Sequence, residues 1–537
     1  MKKSILSLSA AVALGGLGFA TGAHAIAYFG AGTTAPTAND MKLNPGSVGH
    51  VLYTPYYTAQ GKAATLLNIT NTDAVNGKAV KVRFRGAANS DDMLDFTVYL
   101  SPEDVWTASL SAGESGYGEL TTSDKSCTIP FKDKWPAKLN GLRLPSSMSA
   151  ADKVINANEG YIEVLNMADI PPYLTGRVDK DGNKVANPLY TNIKHVSGVA
   201  PCDSSKFAGV QSTELKTFAS DALDVGLDSP TGGLMGTWAV FNQEKLAVFS
   251  GNMGAIVATA GGIGSDGVTP LAAPGYIAFA PQIGLPLTGA AANPAWIRAA
   301  TADPLLRSGF LTPLWFDLPD MSSPLTTAHS AIEQASALST ALGRLNVMND
   351  YAANGGVGST PQETDWIVSQ PTRRYHAAVA YDVMNPWTSK LENFIAWNED
   401  MSDPDTDVTS NPTNNIYSGL QLNDKGQACY MFKIGTTDRE EGKVATSVGG
   451  DFSPGEYKTF PYCGEVFTLT FNNDASILNA TVTNRRYDAD ALANQGWGKL
   501  ETDSTVRLPI VGFAAISLQN GVTGQHFGWT LPHRWDN

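Results

Sequence analysis

The chain predicts a mainly β fold, an antiparallel β-sandwich of immunoglobulin-like strands with long loop insertions and one prominent helix. Three observations carry that expectation. Short runs with apolar residues at every second position recur in both halves, Gly, Pro, Asn and Asp separate them, and one long stretch has apolar residues stepping by three and four. Alternation marks a strand with two different faces, and steps of three and four mark a helix. Many short strands at this spacing favour sheets packed on one another.

In chain order, the strand patterns begin with HVLYTPYY (50–57), AATLLNIT (63–70) and KAVKVRFRG (78–86). The next stretch, NSDDMLDFTVYLSPEDVW (89–106), also holds five carboxylates. Leu94, Phe96, Val98 and Leu100 point one way and Asp95, Thr97 and Tyr99 the other, which predicts a half-buried strand. Ser101 to Asp104 reads as a type I turn with Pro102 at its second position, and Val105 begins the next strand. At about 3.3 Å per residue, Asp91 and Asp92 lie roughly 35 Å from Glu103 and Asp104 along the strand. The carboxyl pair of a glycosidase sits within about 5–9.5 Å. The reading is therefore a strand with charged ends, not an acid/base pair.

EGYIEVLNM (159–167), MGTWAVFN (235–242) and KLAVFSGNM (245–253) continue the series, the last two as a hairpin, and DKDGNK (179–184) reads as a turn at Asp181-Gly182. Residues 246–297 carry one charge, Asp266, and are rich in Gly, Ala and Pro. Their prolines exclude a membrane helix. The tract reads as a packed irregular loop or as an apolar contact surface for a neighbouring subunit. The helix is expected over residues 330–352, with Ala331, Ala335, Leu338, Leu342, Leu345, Met348 and Ala352 on one stripe. Ser330 and Glu333 have capping-box spacing, and ANGG (353–356) ends the run. TDWIVSQPT (364–372), HAAVAYD (376–382), CYMFKIG (429–435), EVFTLTF (465–471) and LPIVGFAAISL (508–518) return to strand patterns. The expected organisation is a signal peptide (1–25), an N-terminal β-sandwich region (26–250), a Gly/Ala/Pro-rich irregular segment (251–325), and a helix with a C-terminal β region (326–537).

Lys2-Lys3, the apolar run 5–20 and Ala23-His24-Ala25 form a secretory signal, with cleavage expected after Ala25. Losing two lysines takes the formal net charge from −14 to about −16, which repels nucleic acid and anionic lipid surfaces. With 16% charged and 43% hydrophobic residues the chain is folded and surface-polar. The mature part is expected to have no transmembrane segment. Four cysteines in an exported chain predict two disulfides, and proximity favours Cys127–Cys202 and Cys429–Cys463. Each would contribute about 4 kcal/mol by the chain-entropy model.

Searches for chemistry return little. No phosphate-binding loop, H-E-x-x-H or G-x-S-x-G occurs, and in GESGY (113–117) Tyr117 stands where Gly should be. None of His50, His195, His329, His376, His526 and His533 lies within five residues of a Cys or pairs at helical spacing with another His, and a Ser/His/Asp site could only be assembled from distant residues. Asp403, Asp405 and Asp407 place oxygen donors two apart, as calcium loops do. Val408 and Asn414 break the EF-hand pattern. Calcium is the one cofactor expected, on those three residues, against the plainer reading of a solvated acidic loop. The sequons at Asn68 and Asn479 are read as ordinary strand residues. Of eleven tryptophans, Trp106, Trp238 and Trp366 are expected in the core, while Trp497, Trp529 and Trp535 have no assigned place.

VLYTPYY…TLLNITNTD, LDFTVYLSPEDVW, NVMNDY…TDWIVSQPTRRYH and LPIVGFAAISLQNG…WTLPHRW together resemble a group of exported bacterial cell-surface or surface-layer-like proteins. The resemblance implies location and assembly and carries over no catalytic residue. The expected function is a secreted, non-enzymatic structural protein of the cell surface. It would assemble with copies of itself or with other surface components. A periplasmic or surface carbohydrate-binding protein is the first alternative and a secreted hydrolase the second.

Overall fold

The computed structural model describes residues 38–211, 219–263, 270–275, 277, 319–321, 323, 325, 331–353, 361–384, 390–397, 421–438, 458–488, 495–502, 508–520 and 526–536. The fold is mainly β, with several antiparallel sheets and a few short helices. The first half contains β1 (Asp40–Asn44), β2 (Val48–Gly49), β3 (Val51–Thr58), β4 (Ala63–Asn71), β5 (Gly77–Gly86), β6 (Asp92–Leu100), β7 (Val105–Ala112), β8 (Gly118–Thr121), β9 (Cys127–Ile129), β10 (Ala137–Lys138), β11 (Glu159–Ile170), β12 (Tyr173–Val178), β13 (Lys184–Ala186), β14 (Leu234–Asn242), β15 (Ala247–Asn252), β16 (Gly254–Ile263) and β17 (Pro270–Ala272). Its larger sheet has the order β1-β16-β3-β11-β5-β6-β9, with β17 on β16, and its second has β10-β8-β7-β4-β14-β15, with β2 on β14. β12 and β13 pair as a separate hairpin around the DKDGNK turn.

The second half contains β18 (Asn346–Ala352), β19 (Gln362–Ser369), β20 (Ala377–Met384), β21 (Leu391–Trp397), β22 (Gln421–Leu422), β23 (Ala428–Asp438), β24 (Lys458–Cys463), β25 (Val466–Phe471), β26 (Asn484–Tyr487), β27 (Gln495–Thr502), β28 (Val511–Gln519) and β29 (His526–Pro532). They form β18-β27-β23-β22 with β24 on β23, then β26-β25-β19-β28-β29, and the pair β20-β21. The β25–β26 ladder is parallel. The described helices are α1 (Ala150–Ala157), α2 (Pro188–Ile193), α3 (Ser204–Phe207), α4 (Ala219–Asp224) and α5 (Ala331–Leu342). Among the described residues none is long and apolar enough to cross a membrane, which leaves membrane-crossing by strands unaddressed.

Three local expectations are corrected. The helix expected over 330–352 stops at Leu342, because Gly343 takes a positive φ of 53° and turns the chain out of the helix. Residues 346–352 then form β18, paired along its length with β27. Val347, Asn349 and Tyr351 alternate inward there, and Met348 and Ala352 met the helical spacing only by coincidence. The Ser101–Asp104 turn is not type I. Asp104 N–H donates to the Ser101 carbonyl at 3.2 Å, but Glu103 has φ 58°, the left-handed value a type II turn needs at that position. Nor is β6 half-buried. Phe96, Val98 and Leu100 enter the largest core with Trp106, Leu67 and Trp238, while Tyr99 enters another with Ile193 and Phe207 from α2 and α3. Those helices cover the face that alternation assigned to solvent.

The turn at 101–104 also changes sheets, since β6 belongs to the larger sheet and β7 to the second. Both sheets feed the same core, and the second half completes it with Ile367, Val466, Ile477, Leu478, Phe513 and Ala515. Trp238 and Phe513 pack ring to ring at 4.6 Å across that junction. The hairpin expected from 235–242 and 245–253 is β14 and β15, and part of the tract read as irregular is regular: β16 lies within it and pairs with β1 and β3. The stripe of α5 does pack as core, Ala335, Leu338 and Leu342 lying against Met41, Tyr53 and Ile256.

Candidate functional site

Among the described residues the most concentrated chemistry is buried. On β5 the apolar Val80, Val82 and Phe84 face the main core, so Lys81, Arg83 and Arg85 must share the other face. Register sets acids beside them: Asp95 of β6 and Glu163 of β11 stand directly opposite Arg83, and Asp92 stands opposite Arg85. Lys81 Nζ reaches Asp95 Oδ1 at 2.7 Å. Arg83 binds Asp92, which Arg143 also approaches at 3.4 Å, and Arg83 donates to the Pro319 carbonyl at 3.2 Å. Arg85 pairs with Glu163 at 3.3 Å and lies 3.8 Å from Asp320.

The second half closes over this face with one short turn, Arg373–Tyr375, between β19 and β20. The Tyr375 hydroxyl donates to Glu163 Oε1 at 2.8 Å. Arg373 pairs with Glu465 at 3.3 Å and also donates to the carbonyls of Gly464, Ala428 and Ala88 at 3.0, 3.3 and 3.2 Å. Arg374 donates to the Ser90 carbonyl at 2.9 Å, and the Tyr381 hydroxyl to Asp91 Oδ2 at 2.8 Å. Asp91 and Asp92, read as the charged end of a strand, are therefore buried members of this network. Burial pushes the Asp91 carboxyl up to about 6. Burial also raises Glu465 to about 7, against the pull of Arg373 and Arg374 and with help from Asp91.

Two more buried carboxylates tie residues 476–483 down. Glu159, at the start of β11, accepts from the backbone N–H groups of Thr481, Val482 and Thr483 at 2.6, 3.2 and 3.0 Å, and from the Thr483 hydroxyl at 2.7 Å. Asp365 of β19 accepts from Ser476 Oγ and the N–H groups of Ile477 and Leu478 at 2.6, 2.9 and 3.3 Å. Burial nevertheless lifts Asp365 to about 7. Such groups can hold sheets in register, but a solute cannot reach them without parting the sheets.

Hydroxyl–imidazole pairs do occur. Ser101 Oγ lies 3.2 Å and Asp104 Oδ2 3.5 Å from the same nitrogen, Nδ1 of His195. A proton relay needs the two partners on opposite ring nitrogens, so this cluster has triad residue types without triad geometry. In Ser517–His526 the hydroxyl again meets Nδ1, at 3.1 Å. Ser339 meets His376 Nε2 at 2.9 Å, and burial lowers that imidazole to about 4.

The disulfides Cys127–Cys202 and Cys429–Cys463 are both formed as expected, the second between directly opposite residues of β23 and β24. Trp106, Trp238 and Trp366 are core, while Trp497 and Trp535 are 44% and 42% exposed. Ala25 and the expected calcium ligands Asp403, Asp405 and Asp407 lie outside the described residues. Among the described residues no three His, Cys, Asp or Glu side chains gather as metal ligands would. Sequence reasoning missed the arginine network. Its one local signal was the alternation of Lys81, Arg83 and Arg85 with apolar residues, which more often marks a solvent face. Comparison with protein-family models, curated proteins and solved structures finds no match to this chain.

Proposed function

We propose that this chain is a secreted structural protein of the cell surface, a self-assembling layer component that works by holding its shape rather than by catalysis. The observation that carries the reading is the arginine network. Ionisable groups that an active site would offer to a substrate are instead buried where the two halves meet, facing countercharges, hydroxyls or backbone carbonyls. Disulfides in both halves suit an oxidising compartment. The shared core of the two larger sheets supports the sandwich reading of the first half. In this proposal the leader ending at Ala25 directs export, to the outer surface first and to the periplasm as the alternative. Calcium on Asp403, Asp405 and Asp407 would screen repulsion between acidic copies.

The test is cell fractionation with electron microscopy of the surface, together with light scattering of the mature protein in calcium and in chelator. Regular sheets or oligomers that dissolve in chelator are expected. A periplasmic protein that stays monomeric at high concentration in both would defeat the proposal. One observation favours carbohydrate binding as a second reading. Trp497 lies exposed on β27 with Asp350 and Thr437 directly beside it on the neighbouring strands, an indole face with polar flanks on which a sugar ring could stack. Loss of polysaccharide retention in Trp497→Ala would move the case there.

A further inference from the structure

We propose that the outer face of the sheet β10-β8-β7-β4-β14-β15 is the contact by which one copy of this chain packs against a second copy. This rests on the assembly reading above and names its contact. The inner face of that sheet carries Trp106, Leu67, Val240 and Leu110 into the main core, so strand alternation fixes what the outer face presents. Register places Asn252, Thr237, Asn68 and Thr107 in one row across β15, β14, β4 and β7. The row on one side runs from Ser250 to Thr121, and the row on the other from Met235 to Val105. None of the residues in these three rows is ionisable. The first charge met along the sheet is Glu119, in the next row and paired to Lys138 at 2.8 Å. Thr107, Thr237, Ser250 and Asn252 are exposed, as are Val105 and Met235 at 41% and 38%.

Three arguments favour a second copy as the occupant. Copies of a chain of net charge −14 repel one another on average, and burying this neutral face adds no like-charge contact and removes no charge from water. Hydroxyls and amides both donate and accept, so the face is complementary to itself in the way a two-fold contact requires. The twelve residues of the three rows, with strands about 4.8 Å apart and rows about 7 Å apart, give about 400 Å² on each copy, so a pair buries about 800 Å², the size of a weak contact that forms at high concentration. A neutral polysaccharide offers similar hydroxyl chemistry, but the three rows carry no aromatic ring on which a pyranose could stack.

The experiment is sedimentation velocity of the mature chain, of T107D/T237D and of K180D over a hundredfold concentration range. Lys180 is exposed on the β12–β13 hairpin turn, and its replacement lowers the net charge by the same two units away from the face. Circular dichroism and thermal melting confirm that each variant is folded. The parent and K180D are expected to associate over the same concentrations, and T107D/T237D to need at least ten times more. If the parent associates and T107D/T237D follows it unchanged, the face is wrong while the assembly reading stands. If the parent stays monomeric throughout, both fall. A parent that stays monomeric alone but binds dextran through this face, with T107D/T237D failing to bind, overturns the second copy in favour of a glycan.

Discussion

The two large sheets of the first half invert the usual rule for what lies inside. The larger sheet is buried on both faces along β3, β5 and β11, and its far face holds Lys81, Arg83, Arg85, Asp92 and Glu163. The second sheet has one face in solvent, and that face is a field of Thr, Ser and Asn with scattered apolar residues. Charge is sealed in while the neutral surface faces water. The difference teaches that a strand's polar face is oriented by what later covers it. β5 is covered because Arg373–Tyr375 arrives from the second half with matching donors, and nothing among the described residues arrives over β4 and β7 in the same way.

The comparison breaks most visibly at Arg373. Arg373→Ala leaves the buried Glu465 without its guanidinium partner and takes a donor from the Gly464 carbonyl, while the Ala428 and Ala88 carbonyls keep the N–H groups of Gly464 and Glu465, and the expected loss is about 3–5 kcal/mol in urea unfolding. A loss below 1 kcal/mol would mean that the network is solvated. Next is Glu159→Ala, which orphans the three N–H groups of residues 481–483. About 2–3 kcal/mol is expected, with hydrogen exchange rising first at those three amides.

A smaller effect appears with pH. Asp365 and Glu465 sit near 7 in the fold, above their ordinary values near 4. A raised folded pKa gives stability that is full below the unfolded value and is lost as pH rises through the folded one. His50, His376 and His533 are depressed to about 3, 4 and 4, so their contribution is present above 6.5 and is lost as pH falls. The two sets oppose each other between pH 4.5 and 6.5. From pH 6.5 to 8 the carboxyls withdraw about 1–2 kcal/mol, offset in part as the unfolded-state histidines, half protonated at 6.5, lose their last protons. Asp365→Asn should remove about half of that slope, measured by denaturant midpoints across the range. The smallest effect belongs to the neutral face. Thr107→Ala should change stability by less than about 0.5 kcal/mol and leave the pH slope untouched; a larger loss would mean that the face is packed.

Most strands were legible because alternation and turn residues act locally. AATLLNIT and MGTWAVFN read as strands and are β4 and β14, neighbours in register. The disulfides were legible from proximity. The arginine network was not, because Arg373 and Arg374 lie some 280 residues from the carbonyls of Ala88 and Ser90 that receive them. A single strand's alternation says which residues share a face and leaves open what that face meets. The end of α5 misled for a different reason: Leu345 and Met348 continue the three-residue step of a helix, and only Gly343 marked the break.

Trp238 and Leu67 share their core with Phe513 and Ala515, and this has a consequence in time. A chain made or threaded from its N-terminus presents the strands of the first core hundreds of residues before the last pieces that close it. Until Arg373–Tyr375 arrives the arginines of β5 lack their second-half cover, and until β28 arrives the inner sheet surfaces lack Phe513 and Ala515. Such long-range closure makes folding slow and leaves a sticky intermediate. A protein built this way reaches its final form late, all at once, and only when its far end is free.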